Sequence, residues 1–208
     1  MRVVVDNGPG KKRRAPATRR LKAAAPSLTL RAAVAADAPQ LHALIASHLE
    51  EGRLLPRTLD ELAIHAPRFV VAVEASSTGD RIVGCAELAP LSAAVGEVRS
   101  LVVGREARRK GLGQRMVDDL GLRAKREGFN RICAFAHDPK FFMRQGFSIV
   151  PHPWVPEKIA RDCYSCALFR NCGQYAVVLD LHHARTSVGT LARTSVGTPV
   201  GSSVSSRV

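Results

Sequence analysis

The chain has 208 residues, 46% of them hydrophobic, which suits one globular domain with tails, and no apolar run approaches the roughly 18 residues of a membrane span. The formal charge of +13 lies mainly in the ends, since residues 27–181 hold 20 basic against 17 acidic side chains, so a nucleic-acid-binding core is not indicated. Five cysteines, an odd count, and the lack of an apolar segment after Met1 argue against a secreted disulfide scaffold and predict a soluble protein of the reducing cytoplasm, without membrane contact.

Residues 1–26 are rich in Arg, Lys, Ala and Pro and have no amphipathic period. We interpret them as a disordered, solvated basic tail. A nucleic-acid-binding arm, a nuclear signal or a transit peptide is the less favoured alternative. At the other end, residues 182–208 contain ARTSVGT at 184–190 and again at 192–198, and these copies are too short for a repeat fold. This segment is expected to be a flexible low-complexity tail.

Between the tails, residues 27–181 alternate strands and helices, which predicts one mixed α/β domain. Asp37 and Thr58 are predicted to cap the first two helices. A turn signal at 77–80 predicts a hairpin between the strands on either side. The predicted strands are 27–33, 68–76, 81–88, 97–104, 130–137, 146–150 and 174–181. The predicted helices are 37–49, 58–65, 111–128 and 138–145.

The most informative unit is the strand 97–104, its following loop and the helix 111–128, because their junction reads RRKGLG at 108–113. Glycines at a strand-to-helix turn let the backbone approach a ligand closely, and the free N–H groups of the helix start bind phosphate oxygens. Three adjacent cations strengthen that field. The spacing matches neither the Walker loop nor the dinucleotide-binding GxGxxG. Taken alone the motif is weakly specific, since two glycines can also serve tight packing.

Together with its flanking strands and FFxxxGF at 141–147, this loop resembles the core of the GNAT superfamily of acetyl-CoA-dependent N-acetyltransferases. The resemblance covers about residues 28–181. It implies a mixed, mostly antiparallel sheet with flanking helices, in which two central strands splay to admit the pantetheine arm of acetyl-CoA, the co-substrate. It further implies pantetheine contacts by Leu101, Val102 and Val103. The pyrophosphate would be held by Arg108, Arg109, Lys110, Gly111, Leu112 and Gly113.

Three further segments resemble the short, single-domain N-acetylglutamate synthases: EGxLLPRTxxxL at 51–62, IVGCAxL at 82–88 and GEVRSL at 96–101. The resemblance implies transfer of acetyl to the α-amine of L-glutamate, the first step of arginine biosynthesis. Glu97 would be the general base, and Arg57 would bind a substrate carboxylate. The main chain near Ser100 and the side chain of Arg170 would contact the same substrate. Arg99 would pair either with substrate or with a neighbouring acid.

Alternatives to these roles stay open. Arg57 could be a surface residue beside a helix start, and Glu97 a solvated carboxylate at a strand end. Ala136 stands where the family often has Ser or Thr as the acid for the leaving thiolate, so His137, Cys133 or water would have to replace it. A dedicated acid is dispensable if the thiolate leaves readily.

The cysteines at 163, 166 and 172 have C-x2-C-x5-C spacing, and its C-x2-C part is half of a zinc knuckle. Structural packing, a redox-sensitive loop and a metal site all remain open, and no metal ligands are predicted. Two other functions are weighed against glutamate acetylation. One is acetylation of another small amine or a protein N-terminus, and the other is a degenerate CoA- or RNA-binding module. The sequence does not decide whether the protein forms a homodimer.

Overall fold

The computed structural model describes residues 28–52, 54–75 and 79–181, and the two predicted tails lie outside them. The strands are β1 (Leu28–Ala32), β2 (Phe69–Glu74), β3 (Arg81–Pro90), β4 (Val95–Val103), β5 (Arg131–Ala136), β6 (Ser148–Val150) and β7 (Tyr175–Asp180). The helices are α1 (Ala38–Ala46), α2 (Leu49–Gly52), α3 (Leu59–His65), α4 (Leu112–Arg126), α5 (Lys140–Met143) and α6 (Pro156–Lys158), which runs into a π-helical turn (Ile159–Cys163). Within these ranges no helix has the length and apolar character that crossing a bilayer requires.

All seven strands form one sheet in the order β1-β2-β3-β4-β5-β7-β6. Each neighbouring pair is antiparallel except β4 and β5, which are parallel. Parallel neighbours need a long crossover, and here α4 provides it. The predicted mixed, mostly antiparallel sheet with flanking helices is confirmed.

Helix α4 covers one face of the sheet. Its fully buried residues Met116, Leu120 and Ala124 recur every four positions, which gives one apolar stripe toward the sheet. Beneath that stripe, a Cβ placed on Gly84 of β3 would lie 3.2 Å from the Met116 side chain and 3.2 Å from the Val102 carbonyl oxygen. Glycine at this position therefore allows α4 to pack closely on the middle of the sheet.

Helices α1 and α3 cover the opposite face. Leu41 and Ile45 of α1 and Leu62 of α3 are buried against Phe69 and Val71 of β2. Each such side chain contributes about 1.5–3 kcal/mol when it leaves water. The sheet thus has a core on both faces, and its central strands are shielded from solvent.

Two predicted helix starts have different outcomes. The Thr58 cap is confirmed, because its hydroxyl accepts the Glu61 N–H at 3.2 Å. Asp37 stands at the N-cap position of α1 as predicted, but its side chain makes no cap hydrogen bond to that helix. The carboxylate instead accepts the Val34 N–H at 2.8 Å, within the preceding 3-10 turn. The predicted helix 37–49 is also divided in two. It stops after Ala46, where the Ser47 hydroxyl donates to the Leu44 carbonyl at 2.9 Å and competes with continued helix.

The hairpin that joins β3 and β4 is tighter than the sequence predicts. The Ser92 hydroxyl accepts the N–H groups of Ala94 and Val95 at 3.2 and 3.1 Å, and this closes the turn over residues 91–94. Both strands consequently extend two residues further toward the turn than predicted. Glu97 therefore lies inside β4, not at its end.

We expect Asp37→Ala to lower the free energy of unfolding by about 1–2 kcal/mol. The substitution removes the acceptor of the Val34 N–H and the two hydrogen bonds that Arg31 donates to the carboxylate, at 2.6 and 2.9 Å. The Arg31 hydrogen bond lowers the pKa of Asp37. The contribution is therefore complete above the ordinary carboxyl pKa of about 3.9 and is lost as the pH falls through the lowered value.

Thermal unfolding at pH 7 and near pH 2 measures this effect. The difference in unfolding temperature between the wild type and Asp37→Ala should be largest at pH 7 and smaller in acid. The exposed Asp118 of α4 offers a matched control. The unfolding temperature of Asp118→Ala should be close to that of the wild type at both pH values. An equal gap at both pH values would contradict the assignment.

Candidate functional site

The parallel ladder between β4 and β5 is short and ends at the pair of Glu97 and Cys133. From there β4 continues to Val103 and β5 to Ala136, but the described residues form no further pair between these two strands. Strand β5 stays paired with β7 along its whole length. The free side of β4 therefore presents N–H and C=O groups that have no strand partner. The splayed central strands expected from the sequence are confirmed.

A β-bulge lies in β4 just beyond this point. Ser100 and Leu101 stand opposite the single residue Ala86 of β3, and Ser100 has a left-handed φ of 51°. An extra residue reverses the alternation of side chains between the two faces. Accordingly Val98 packs into the core beneath α4, whereas Val102, an even number of residues later, packs into the core beneath α1 and α3. The bulge thus gives the two halves of β4 different environments.

A cleft of about 900 Å³ lies between the second half of β4 and the start of α4. It brings together eight of the nine residues that the sequence assigned to the cofactor: Leu101, Val102, Val103, Arg108, Arg109, Gly111, Leu112 and Gly113. The ninth, Lys110, is exposed in the same loop. Residues of and around α5, including Phe141 and Arg144, line the cleft as well.

The mouth of this cleft has the features of an anion site. Gly111 begins α4 with a left-handed φ of 71° and no side-chain cap. The first N–H groups of a helix have no acceptor within it, and the helix dipole makes that end positive. Arg109 and Lys110 are exposed beside it, and the Arg108 Nε donates to the Val103 carbonyl at 3.0 Å. The arrangement can bind phosphate oxygens through both backbone and side chains.

Four charged groups form a closed ring at the point where β4 and β5 part, which we call the ion ring. Glu97 accepts from Lys158 Nζ at 2.7 Å and from Arg99 Nη2 at 2.6 Å. Asp162 Oδ2 accepts from the same two nitrogen atoms, at 2.8 and 3.3 Å. The Glu97 side chain is 4% exposed and that of Asp162 33%, so the ring has a buried and an open side.

The opposite charges within the ion ring stabilise one another. Burial opposes the charged forms of Lys158 and Arg99, but the negative charge of Glu97 raises the pKa of both. Burial likewise opposes the carboxylate of Asp162, yet its hydrogen bond from Lys158 and the charge of that side chain lower its pKa. The two cations and Asp162 therefore remain charged at neutral pH.

A second buried carboxylate, Glu87 of β3, lies on the same face of the sheet. Its Oε2 accepts from Arg57 Nη1 at 2.9 Å, and the same nitrogen donates to the Ser100 hydroxyl at 3.2 Å. Arg57 Nε also lies 2.7 Å from Glu61 Oε1. The Glu87 Oε1 has no hydrogen bond, and its neighbour His65 Nδ1 is 4.0 Å away. Burial, followed by the charge of Arg68, lowers the pKa of His65, so the His65 imidazole stays neutral.

The sequence-predicted substrate residues are thus only partly assembled. Arg57 and Ser100 contact each other, and Arg99 contacts Glu97. The alternatives of a surface Arg57 and a solvated Glu97 do not hold, since both side chains are more than nine-tenths buried. Arg170 is exposed in a short 3-10 helix, and no ion pair joins it to these groups among the described residues.

Sequence reasoning missed Glu87, Lys158 and Asp162. Glu87 was the unassigned position within IVGCAxL, although an acid in an otherwise apolar strand signals a buried partner. Lys158 and Asp162 lie in a Pro- and Cys-rich stretch, in which no helix was predicted. Their spacing of four residues was the available signal, because i,i+4 side chains meet on one helical face.

Cys133 and the C-terminal cysteines have distinct environments. Burial raises the pKa of Cys133, which therefore holds its proton beside Glu97. Cys163 and Cys172 are partly buried and Cys166 is exposed, and all three are free thiols. Nowhere in the described ranges do three His, Cys, Asp or Glu side chains lie in positions that could hold a metal ion.

Comparison with known proteins relates this geometry to characterised folds. The family described as Acetyltransferase (GNAT) domain matches residues 65–149. An uncharacterised N-acetyltransferase of Chlorobaculum tepidum is 30% identical over 146 residues, which cover 70% of this chain and 92% of that protein.

Two solved structures are similar in fold. N-acetylglutamate synthase of Neisseria gonorrhoeae, in complex with coenzyme A and N-acetyl-glutamate, has a TM-score of 0.65 and 26% identity over 75% of this chain. This chain spans 35% of that protein's length. A Mycobacterium tuberculosis protein in complex with CoA has a TM-score of 0.64 and 25% identity, covering 73% of this chain and 98% of the other.

We expect Arg57→Met to destabilise the protein by about 3–5 kcal/mol, because Glu87 would be left buried without its cation. Glu87→Gln should cost less, since Arg57 keeps Glu61. In the double variant the loss should be smaller than the sum of the single losses. Urea unfolding of the wild type and the three variants measures this coupling. Strict additivity, or an Arg57→Met loss below about 1 kcal/mol, would show that the pair is not coupled.

Proposed function

Because the chain belongs to the GNAT family of N-acetyltransferases, we propose that it transfers acetyl from acetyl-CoA to the α-amine of an amino acid, with L-glutamate as the preferred acceptor. The observation that carries this proposal is the parting of β4 and β5 at Glu97, with an anion-binding cleft on one side and buried charges at its apex. The likeness of this chain to N-acetylglutamate synthase of Neisseria gonorrhoeae supports the choice of glutamate. The reaction would then supply the first step of arginine biosynthesis.

The residues of the cleft fit coenzyme A. The unpaired side of β4 at Leu101, Val102 and Val103 offers backbone donors and acceptors to the two amides of the pantetheine arm. The start of α4 at Gly111 and the adjoining cations suit its pyrophosphate. Acetyl-CoA, when bound, supplies the thioester whose acetyl group is transferred.

In this proposal Glu97 is the general base for the acceptor amine. It lies at the last paired position before the strands part, where an arm held along β4 would end. Each of its oxygens accepts one hydrogen bond from a cation, and a carboxylate has about four acceptor positions, so lone pairs remain for an amine or a bridging water. The surrounding low-dielectric core strengthens the orientation that these bonds impose.

The leaving thiolate has few acids to choose from. Ala136 has no proton to give, and Phe141 and Phe142 occupy the helix that follows β5. The raised pKa of Cys133 makes its thiol a weak proton donor, and its side chain is fully buried. Of the three replacements that the sequence suggests, His137 and water remain, and in this proposal the thiolate takes its proton from one of these two.

Substrate contacts follow the sequence-based roles, with one constraint from the structure. Arg57, Arg99, Ser100 and Arg170 remain the proposed acceptor-binding residues. Arg57 already bonds to Glu87 and contacts Glu61. A substrate carboxylate would therefore reach Arg57 only by displacing Glu61, the more exposed of these two partners.

We expect the double variant Arg109→Ala/Lys110→Ala to bind CoA about 10-fold or more weakly, because two charge-assisted phosphate contacts are lost. Its affinity should also depend less on salt. Isothermal titration with CoA measures both effects. The exposed Lys125 and Arg126 at the opposite end of α4 provide the matched control, and their double alanine variant should bind as the wild type does. Equal weakening in both pairs would indicate a net-charge effect without a phosphate site.

An acceptor screen with release of free CoA thiol tests the proposed reaction. We expect acetyl-CoA turnover with L-glutamate above that with other amino acids, polyamines or a peptide N-terminus. Glu97→Gln should lower kcat by about 10²–10⁴-fold, since an amide cannot accept the proton. Glu106→Gln, an exposed acid outside the ion ring, serves as its control. Preference for polyamines would refute the amino-acid assignment, and an unaffected Glu97→Gln would refute the base.

A further inference from the structure

We propose that Arg99 and Lys158 form the subsite for the acceptor's carboxylate, and that Asp162 occupies this subsite as an internal substitute until the amino acid displaces it. The inference rests on the proposed function insofar as the acceptor is an amino acid. It assigns new roles to Lys158 and Asp162. It also revises one sequence-based role, because it moves the acceptor's α-carboxylate from Arg57 to the ion ring.

The geometry of the ion ring separates a fixed member from an exchangeable one. Glu97 is held in the buried part of β4, with its side chain 4% exposed. Asp162 lies on the π-helical turn at the open side, with its side chain 33% exposed. Its Oδ2 accepts from both cations, at 2.8 Å from Lys158 and 3.3 Å from Arg99. A carboxylate arriving from solvent would therefore meet Asp162 first and could take over the same two donors.

An incomplete hydrogen-bond set on Arg99 favours this exchange. Both of its ion-pair contacts use Nη2, at 2.6 Å to Glu97 and 3.3 Å to Asp162. Its Nε is buried and donates to no acceptor. A guanidinium binds a carboxylate best through two parallel N–H groups. A substrate carboxylate that approaches Arg99 side-on could engage Nε as well, which Asp162 does not.

Formal charge distinguishes this subsite from the one around Arg57. The ion ring has two cations and two carboxylates, so loss of Asp162 leaves one positive charge, and an incoming carboxylate restores neutrality. Around Arg57, one cation already faces the two carboxylates of Glu61 and Glu87, and a substrate carboxylate that replaced Glu61 would keep this excess negative charge. Uncompensated charge in a buried site is costly. The acceptor carboxylate therefore favours Arg99 and Lys158.

The ammonium group of an α-amino acid also matches the ion ring. Its ammonium and carboxylate are joined through one carbon, and the ring presents a carboxylate and a pair of cations within hydrogen-bond distance of each other. Binding would place the amine beside Glu97 while the carboxylate replaces Asp162. Recognition of the carboxylate would thereby also position the amine for reaction.

Steady-state kinetics of Asp162→Asn test the proposal with two acceptors: the amino acid preferred in the screen, and the amine of the same skeleton without the α-carboxylate. Asparagine keeps the shape of the side chain but competes less well for the two cations. We expect the KM for the amino acid to fall about 3–10-fold with kcat nearly unchanged, and the KM for the carboxylate-free amine to stay constant. Lys158→Met should raise the KM for the amino acid about 10-fold or more, and by a larger factor than the KM for the amine, which it affects only through the hydrogen bond to Glu97.

Glu74→Gln provides the matched control, because Glu74 is an arginine-paired carboxylate outside the site, 2.7 Å from Arg81. It should change neither KM. Thermal unfolding and the KM for acetyl-CoA report whether each variant is folded. A higher KM for the amino acid in Asp162→Asn, or equal shifts for both acceptors, would overturn the subsite. Absence of turnover by the wild type with every amine would instead overturn the proposed function.

Discussion

The loss of pairing between β4 and β5 beyond Glu97 is the constraint on which the rest of the structure depends. Backbone N–H and C=O groups seldom stay unpaired in a protein interior, so a strand that leaves its neighbour must offer them to something else. The bulge at Ser100 occurs within three residues of this point and reverses the faces of β4. As a result a single strand serves both a cleft beneath α4 and a cluster of charges on the opposite face.

That cluster is stable because its charges are matched. Glu87 and Glu97 are almost fully removed from water, and isolated carboxylates there would be prohibitively unfavourable. Arg57 compensates the first, while Arg99 and Lys158 compensate the second. Such pairs add little net stability compared with apolar residues of the same size. Their presence at the apex of the splayed strands agrees with the catalytic and binding roles that we propose for them.

In the proposed reaction, the two sides of β4 bind different substrates. The cleft at the start of α4 suits the phosphates and amides of coenzyme A, and the ion ring suits a zwitterionic acceptor. Because α6 contributes Lys158 and the π-helical turn contributes Asp162, our proposal gives the segment between β6 and β7 a part in choosing the acceptor. Membership of the GNAT family accounts for the use of acetyl-CoA, whereas in our proposal the choice of acceptor depends on these less regular residues.

The sequence alone determined the elements whose signals are local. Turn residues and apolar periods predicted a mixed α/β domain, α4 and the Thr58 cap, and the resemblance to the GNAT superfamily implied the splayed sheet and most of the residues that line the cleft. Only the tertiary structure decided which charges meet. Glu87 and Arg57 are 30 residues apart and Glu97 and Lys158 are 61 apart, and their pairing follows from strand register, from the bulge at Ser100 and from the packing of α6. Long-range ion pairs have no local periodicity, so a linear pattern cannot reveal which carboxylate neutralises which cation.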